Sequence, residues 1–149
     1  MSSIEKHLEK FIKNKNFISE MRPEHQFGLM CANYFYYDDE LTNSIVKTIF
    51  VDGTRDGGLD IILNDPRTDN LILIQSKMTE NLDKNAILDI FSKMGRAIED
   101  YRNGNRKKFT DSVRRCLASG LEDLPDDGGI HLILFTTYNP NYKYKSEIK

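Results

Sequence analysis

The chain is poor in the residues that build disulfide frameworks and zinc sites. It has two cysteines, Cys31 and Cys116, and three histidines in 149 residues. The cysteines lie far apart, in segments with helical patterning, so they form no familiar zinc spacing with the histidines. They indicate reduced thiols that face the core of a cytoplasmic protein, with a disulfide between them as the alternative.

The sequence also lacks a long apolar run and an excess of one charge. No run is long enough to span a bilayer, and the polar N-terminus, Met1 to Lys6, does not have the pattern of a signal peptide. The net charge of −2 gives no global positive field that would indicate a nucleic-acid partner. With 39% hydrophobic and 30% charged residues, the composition is typical of an ordered soluble protein with one domain and its own core.

A hairpin pattern between residues 59 and 77 dominates the middle of the chain. Two apolar runs, 59–63 and 71–74, flank a polar connection that contains Pro66. Runs of this length, bounded by turn-forming residues, are typical of two antiparallel strands. Because apolar residues occupy both faces of these strands, we expect an α/β sandwich in which the sheet lies between two layers of helices.

The open end of this hairpin carries three polar side chains. Partner residues in an antiparallel pair have a constant number sum, and placing Asp60 opposite Gln75 sets that sum at 135. Alternation along the second strand then points Gln75 and Lys77 to the same side. The pattern predicts a carboxylate, a carboxamide and an ammonium group on one face. A structural strand end with exposed polar residues is the alternative.

These three groups suit the cleavage of phosphodiesters. A carboxylate and a neutral oxygen are ligands that a hard cation such as Mg²⁺ prefers, and a nearby lysine can hold a water or stabilise charge on a phosphate. The glycines before Asp60 allow a close backbone approach, so that a phosphate could come near this carboxylate. Asp52 and Asp56 could assist, although turn acids are their commoner role.

The residues around the hairpin resemble the core motif of PD-(D/E)xK nucleases. The matching segments are Gly57-Gly-Leu-Asp-Ile-Ile62 and Leu71-Ile-Leu-Ile-Gln-Ser-Lys77, and a fuller pattern begins at Asp52. They are most similar to the Mrr-like branch, in which Gln replaces the second acid, and to the N-terminal region of abortive-infection phage-resistance (AIPR) proteins. The Gln brings one negative charge fewer to a metal than an acid would. The similarity is specific over residues 50–77 and general over about 1–137.

The resemblance implies a restriction-endonuclease-like α/β sandwich with a central mixed sheet of about four strands flanked by helices. It implies Mg²⁺ or Mn²⁺ as the cofactor. The implied ligands are Asp60, Gln75 and the backbone carbonyl of Ser76, and Lys77 is the implied catalytic lysine. A duplex-cleaving enzyme of this kind often works as a dimer, so a homodimer is one expected assembly.

A helix before the core strands often supplies a further acid in the resembled nucleases. Glu24 is the candidate, because it lies one turn before Phe27 at the edge of an apolar stripe, and Glu20 is the reserve. An ordinary first-turn acid favoured by the helix dipole is the alternative. His7 and His25 are predicted to be surface residues.

Periodicity predicts four helices and four strands along the chain. The predicted helices are 3–13, 23–36, 83–102 and 106–119, and the predicted strands are 44–51, 58–63, 70–77 and 130–137. The second helix is expected to bury Phe27, Met30, Cys31, Tyr34 and Phe35. Thr79 or Asn81 is the expected cap of the third helix, and Gly120 is the expected stop of the fourth.

Positive charge is concentrated between residues 93 and 115. Eight basic residues against three acidic ones give this segment +5, which leaves −7 for the rest of the chain. A local basic face could follow a phosphate backbone. Its candidate nucleic-acid contacts are Lys93, Arg96, Arg106, Lys107 and Lys108. A solvated helix surface is the alternative.

These patterns together predict one nuclease-like domain over 1–137 and a C-terminal tail or linker over 138–149. The Tyr/Lys alternation of the tail could bind nucleic acid by stacking and charge. AIPR proteins are much longer, so we expect a fragment or a short relative. The predicted function is a metal-dependent endonuclease, acting on DNA more readily than RNA, in phage defence or restriction. A non-catalytic module that binds nucleic acid or docks a partner is the alternative.

Overall fold

The computed structural model describes residues 3–51 and 58–137. Within these ranges the chain forms five α-helices, one short 3-10 helix and three strands, which confirms the α/β class. The elements are α1 Ser3–Asn14, the 3-10 helix Asn16–Ile18, α2 Pro23–Tyr36, α3 Asn43–Ile49, β1 Ile61–Asn64, β2 Leu71–Lys77, α4 Lys84–Arg102, α5 Asp111–Glu122 and β3 Ile130–Thr136. Asp52, Asp56 and the tail 138–149 lie outside the described residues.

The three strands form one mixed sheet in the order β1-β2-β3. β1 and β2 are antiparallel, with Ile61 opposite Ile74 and Leu63 opposite Ile72, so the predicted number sum of 135 is confirmed over the strand. β3 runs parallel to β2, with Leu132 opposite Leu73.

The predicted first strand at 44–51 is wrong, because most of this segment forms helix α3. Thr42 caps the helix by accepting a hydrogen bond of 3.3 Å from the Ile45 amide. Val46 and Ile49 are buried at helical spacing, and this packing outweighs the β propensity of the branched residues. Only Phe50 bridges to Ile61. The described part of the sheet therefore has three strands instead of about four.

Helices cover both faces of the sheet, as the apolar strands predicted. One buried cluster joins α1, α2 and α3 to Ile61 and Ile72. The other joins α4 and α5 to Ile62 and Leu73. Among the described residues, no helix combines the length and apolar character that crossing a membrane requires.

Several boundaries and burial predictions need correction. Asp83 caps α4 in place of Thr79 or Asn81, and its carboxylate accepts the Ala86 amide at 2.7 Å. Gly120 lies within α5, against Leu71, and does not stop the helix.

Helix α2 buries Phe27 as predicted, but not the whole predicted stripe. Tyr34 and Phe35 are 68% and 51% exposed. The polar Asn33 is buried instead, because its side-chain oxygen accepts the Leu41 amide at 3.0 Å. Of the two cysteines, Cys116 is buried and Cys31 partly buried, and both are free.

Candidate active site

Helix α2 approaches β2 closely at Gly28. A Cβ on Gly28 would lie 2.1 Å from Ser76 Oγ and 3.2 Å from Ser76 Cβ, so the contact depends on glycine. Ser76 is only 1% exposed, so its side chain has little room to move away from a new Cβ. Glu24 and His25 lie one turn before Gly28 on α2. The close approach therefore brings both side chains to the C-terminal end of β2.

A cavity of about 670 Å³ lies at this end of β2, between α2 and α4. Glu24 lines it from α2, and Asp89 and Lys93 line it from α4. Gln75 and Lys77 line it from the sheet, as their alternation predicts. Two acids, a carboxamide and two amines thus converge on one opening. Glu20, the reserve acid, is exposed and does not line the cavity.

The side chain of Gln75 packs against the backbone of Gly58. Gly58 has a φ of +60°, and a Cβ there would lie 2.6 Å from Gln75 Oε1. A side chain at position 58 would therefore meet the carboxamide and carry strained backbone as well. The glycine before Asp60 is what leaves room for the Gln75 oxygen.

Asp60 lies in a bend immediately before β1, one residue beyond the paired register. Its amide donates to the Ile74 carbonyl at 2.8 Å, and its Oδ2 accepts the Ser76 amide at 2.8 Å. The side-chain carboxylate of Asp60 thus takes the place of a backbone carbonyl as the hydrogen-bond acceptor for β2, beyond the last paired residue of β1. A strict Asp60–Gln75 pair, as the sequence predicted, is not formed.

His25 is the site residue that the sequence reasoning missed. Its Nε2 lies 3.7 Å from Asp60 Oδ1, and the two side chains are only 13% and 17% exposed. The imidazole also packs edge-on against Phe50, with ring centroids 4.9 Å apart. The surface prediction for His25 is therefore wrong, whereas His7 is exposed as predicted. The only signal in the sequence was its place beside Glu24, one turn before Gly28.

The surroundings of Asp60 disfavour the charged form of its carboxylate. Burial raises its pKa above the ordinary aspartate value, and Glu24 raises the pKa further. The Ser76 amide, His25 and Lys77 act in the opposite direction without cancelling the rise. Asp60 does not itself line the cavity. Its interactions with Glu24 and Lys77 nevertheless couple it to the side chains that do.

Replacing Asp60 with asparagine is expected to stabilise the fold at neutral pH. Since folding raises the pKa of this acid, the folded state binds its proton more tightly, and wild-type stability falls as pH rises from the unfolded-state pKa, about 4, through the folded-state pKa. The neutral amide avoids that cost and can still accept the Ser76 amide. Thermal melts should therefore show a higher Tm for Asp60→Asn at pH 7, with the advantage shrinking toward pH 4.

The exposed Asp126→Asn should show no such pH-dependent gain. An Asp60→Asn variant that melts below wild type at pH 7 would contradict the assignment of a raised pKa.

The side chains at the end of β2 include donor atoms of the kind that a hard cation accepts. Asp60 and Glu24 supply carboxylates, and Gln75 supplies a carboxamide oxygen, which are ligands that Mg²⁺ and Mn²⁺ accept. The Ser76 carbonyl points to the same side as its amide, toward β1 and past the end of that strand. Within the described residues, no group of three or more His, Cys, Asp or Glu is arranged to hold a metal. A cation here would need the amide and carbonyl oxygens, and water, to complete its shell.

Four of the five predicted nucleic-acid contacts have partners within the chain. Lys93 pairs with Asp89 at 3.2 Å, and Lys108 pairs with Asp100. Arg106 lies over the Tyr101 ring, 4.2 Å from its centroid. Arg96 donates to Ser92 at 3.4 Å, and Lys107 is exposed. Lys93 lies at the cavity, whereas Arg106, Lys107 and Lys108 follow the other end of α4. These five residues do not form a single basic patch around the site.

No protein-family model, curated protein or solved structure matches the chain. The arrangement at the end of β2 and the motif resemblance over residues 50–77 are what bear on function.

Proposed function

We propose that the chain is a metal-dependent nuclease that hydrolyses phosphodiester bonds, with DNA as the preferred substrate and phage defence or restriction as its role. The observation that carries the proposal is the convergence of Glu24, Gln75 and Lys77 on one cavity, with Asp60 beside it. A mixed sheet between two helical layers also supports the restriction-endonuclease-like version of the α/β fold.

Each polar side chain has a distinct role in this proposal. Asp60 and Gln75 hold Mg²⁺ or Mn²⁺, and Glu24 and the Ser76 carbonyl complete the protein ligands. The ion, when bound, polarises the scissile phosphate and makes a water more acidic. Lys77 orients the attacking water or offsets the negative charge that develops on the phosphate.

His25 is a positioning residue in this scheme. Asp60 Oδ2 accepts the Ser76 amide, and Oδ1 faces the imidazole of His25. Two contacts from different elements therefore fix the plane of one carboxylate. A fixed carboxylate binds a cation with less loss of side-chain freedom than a mobile one.

The charges of the cavity explain why a cation is needed. Lys93 is paired with Asp89, and the cavity lining holds one further acid, Glu24, and one further amine, Lys77. The lining side chains alone therefore supply little net positive charge for a phosphate. A divalent cation would provide the attraction that brings the phosphate into contact with Lys77.

The substitution Lys77→Ala tests the proposal. Purified wild-type protein should nick supercoiled plasmid in Mg²⁺ or Mn²⁺, and Lys77→Ala should lower the rate by about 10²–10³-fold, since one stabilising group is lost. Lys93→Ala is the matched control, because it lines the same cavity but is already paired with Asp89. Its rate should change less than about tenfold. Equal losses in the two variants would contradict a specific role for Lys77.

One observation favours the second candidate function, a non-catalytic nucleic-acid-binding or partner-docking module. Both oxygens of Asp60 already face donors of the protein, the Ser76 amide and His25. Such a carboxylate can serve structure alone. Calorimetric titration with Mn²⁺ discriminates, because the module should show no affinity that Asp60→Asn removes, yet should still shift DNA or RNA in a gel.

A further inference from the structure

Strand β3 is an edge strand of the sheet in the part of the chain that the structure describes. It pairs with β2 on one side, and no described strand lies on its other side. Five of its seven side chains are apolar and none of the seven is fully buried, whereas the first four residues of β2 are all buried. Its register with β2 is unbroken from Ile130 to Thr136, and it has no lysine or proline. Edge strands usually carry a lysine, a proline or a break in register, which prevents pairing with another strand.

The outer backbone groups of β3 belong to alternate residues. The Leu71 amide donates to the Gly129 carbonyl at 2.9 Å, and the Thr137 amide donates to the Lys77 carbonyl at 3.2 Å. Odd-numbered residues of this segment therefore bond to β2. The amides and carbonyls of Leu132 and Leu134 point away from β2, toward the open edge.

Exposed apolar side chains flank this edge on both faces of the sheet. On the α2 side, Phe35 stacks on Phe135 with ring centroids 5.7 Å apart, and Tyr34 beside it is 68% exposed. On the α4 side, Leu88 is 58% exposed. Leu88 lies on the same side of the helix as Gly95, which packs near Leu132. A single extended peptide would cover the strand edge but not both flanks.

Charge is distributed unevenly along β3. Lys10, Lys15 and Asp39 line a second cavity, of about 900 Å³, beside Phe135 at the C-terminal half of the strand. The two lysines outnumber the one acid, so this end of the strand is basic. The last residue of α5 and the loop before the strand carry four exposed acids, Glu122, Asp123, Asp126 and Asp127. Antiparallel pairing of two copies brings the basic end of one strand to the acidic end of the other. Residues 138–149, with three lysines and one glutamate, offer Lys10 and Lys15 no such complement.

We propose that β3 pairs antiparallel with β3 of a second copy of this chain, about a two-fold axis near Ile133. Leu132 then faces Leu134 of the second copy, and the two three-stranded sheets become one continuous sheet. The exposed apolar side chains on each face of the sheet then contact the same side chains of the second copy. A second copy can do this because it also carries helices on both faces of its sheet. The proposal goes beyond the nuclease assignment and does not depend on it, since each candidate site is complete within one copy.

Sedimentation velocity of the full chain tests this interface. We expect a concentration-dependent species of twice the 17.3 kDa chain mass. Leu134→Pro removes an outward amide without breaking a bond to β2. Because of the two-fold axis, it deletes two inter-chain hydrogen bonds, and the dissociation constant should rise at least about thirtyfold. Leu134→Ala keeps the amide and should weaken the dimer less. Circular dichroism and thermal melts establish that each variant is folded.

A charge swap provides a second, independent test. Asp126→Lys with Asp127→Lys should weaken the dimer, and adding Lys10→Glu with Lys15→Glu should restore it. A full chain that stays monomeric at 100-fold the lowest concentration studied, roughly 2.7 kcal/mol of mass action, would overturn the proposal, as would occupation of the edge by 138–149. A dimer that is indifferent to both Leu134→Pro and the charge swap would overturn it as well. Nicking activity has no bearing on either outcome.

Discussion

Replacing Asp60 with alanine should abolish metal-dependent nicking, with a loss of at least about 10³-fold in rate. Asp60 is the carboxylate that the Ser76 amide and His25 hold in place at the end of β2. Burial raises its pKa by disfavouring the charged form, and a bound cation would offset that cost. Removing the anion removes the main attraction for Mg²⁺. A plasmid-nicking time course across metal concentrations measures the loss.

The matched control for Asp60→Ala is Asp89→Ala. Asp89 also contributes a carboxylate to the site, from α4, but it is 60% exposed and pairs with Lys93. Its removal should leave the rate within about tenfold of wild type. Comparable losses in the two variants would show that the cavity needs only general negative charge, and would remove the assigned role of Asp60.

Asp60→Asn separates the chemical role of the residue from its structural role. Alanine leaves the Ser76 amide without its carboxylate acceptor, whereas asparagine can still accept that hydrogen bond. Both variants should be inactive if the negative charge matters, and the asparagine variant should melt above wild type at pH 7. Gain of stability with loss of activity is typical of a functional group held at a cost. Wild-type nicking rates in both variants would eliminate the nuclease proposal.

The hairpin could be predicted because its determinants are local. Two apolar runs and the turn residues around Pro66 fix the register, and the number sum of 135 holds from Ile61 to Asn64. The strand predicted at 44–51 was wrong because the structure of this segment depends on contacts that are not local. Its branched residues favour a strand locally, but Val46 and Ile49 pack against the sheet at helical spacing.

The candidate site was predictable only where it lies on β2. Gln75 and Lys77 share a cavity because strand alternation requires it. The position of Asp60 depends on a bend that ends the pairing one residue early. The place of His25 depends on how closely α2 approaches β2. Neither the bend nor the approach of the helix is encoded in local periodicity.

The second large effect is expected from Gly28→Ala, because Gly28 is the residue at which α2 approaches β2. Alanine normally favours a helix interior over glycine by about 1 kcal/mol. At Gly28, however, the new Cβ would lie 2.1 Å from Ser76 Oγ, and such overpacking costs about 3 kcal/mol. We expect a net loss of about 2 kcal/mol in the free energy of unfolding. Urea titration followed by circular dichroism measures it.

Gly95→Ala in α4 is the matched control, because among the described residues its Cβ would meet only Leu132, at an ordinary 3.8 Å. That variant should gain up to about 1 kcal/mol, so the two changes should differ in sign. Adding Ser76→Ala removes the Oγ and should restore part of the Gly28→Ala loss, leaving the 3.2 Å contact with Cβ. Gly28→Ala should also slow nicking, because a helix pushed outward carries Glu24 and His25 away from Asp60. Equal stabilities for the two alanine variants would show that α2 does not depend on this contact to reach the site.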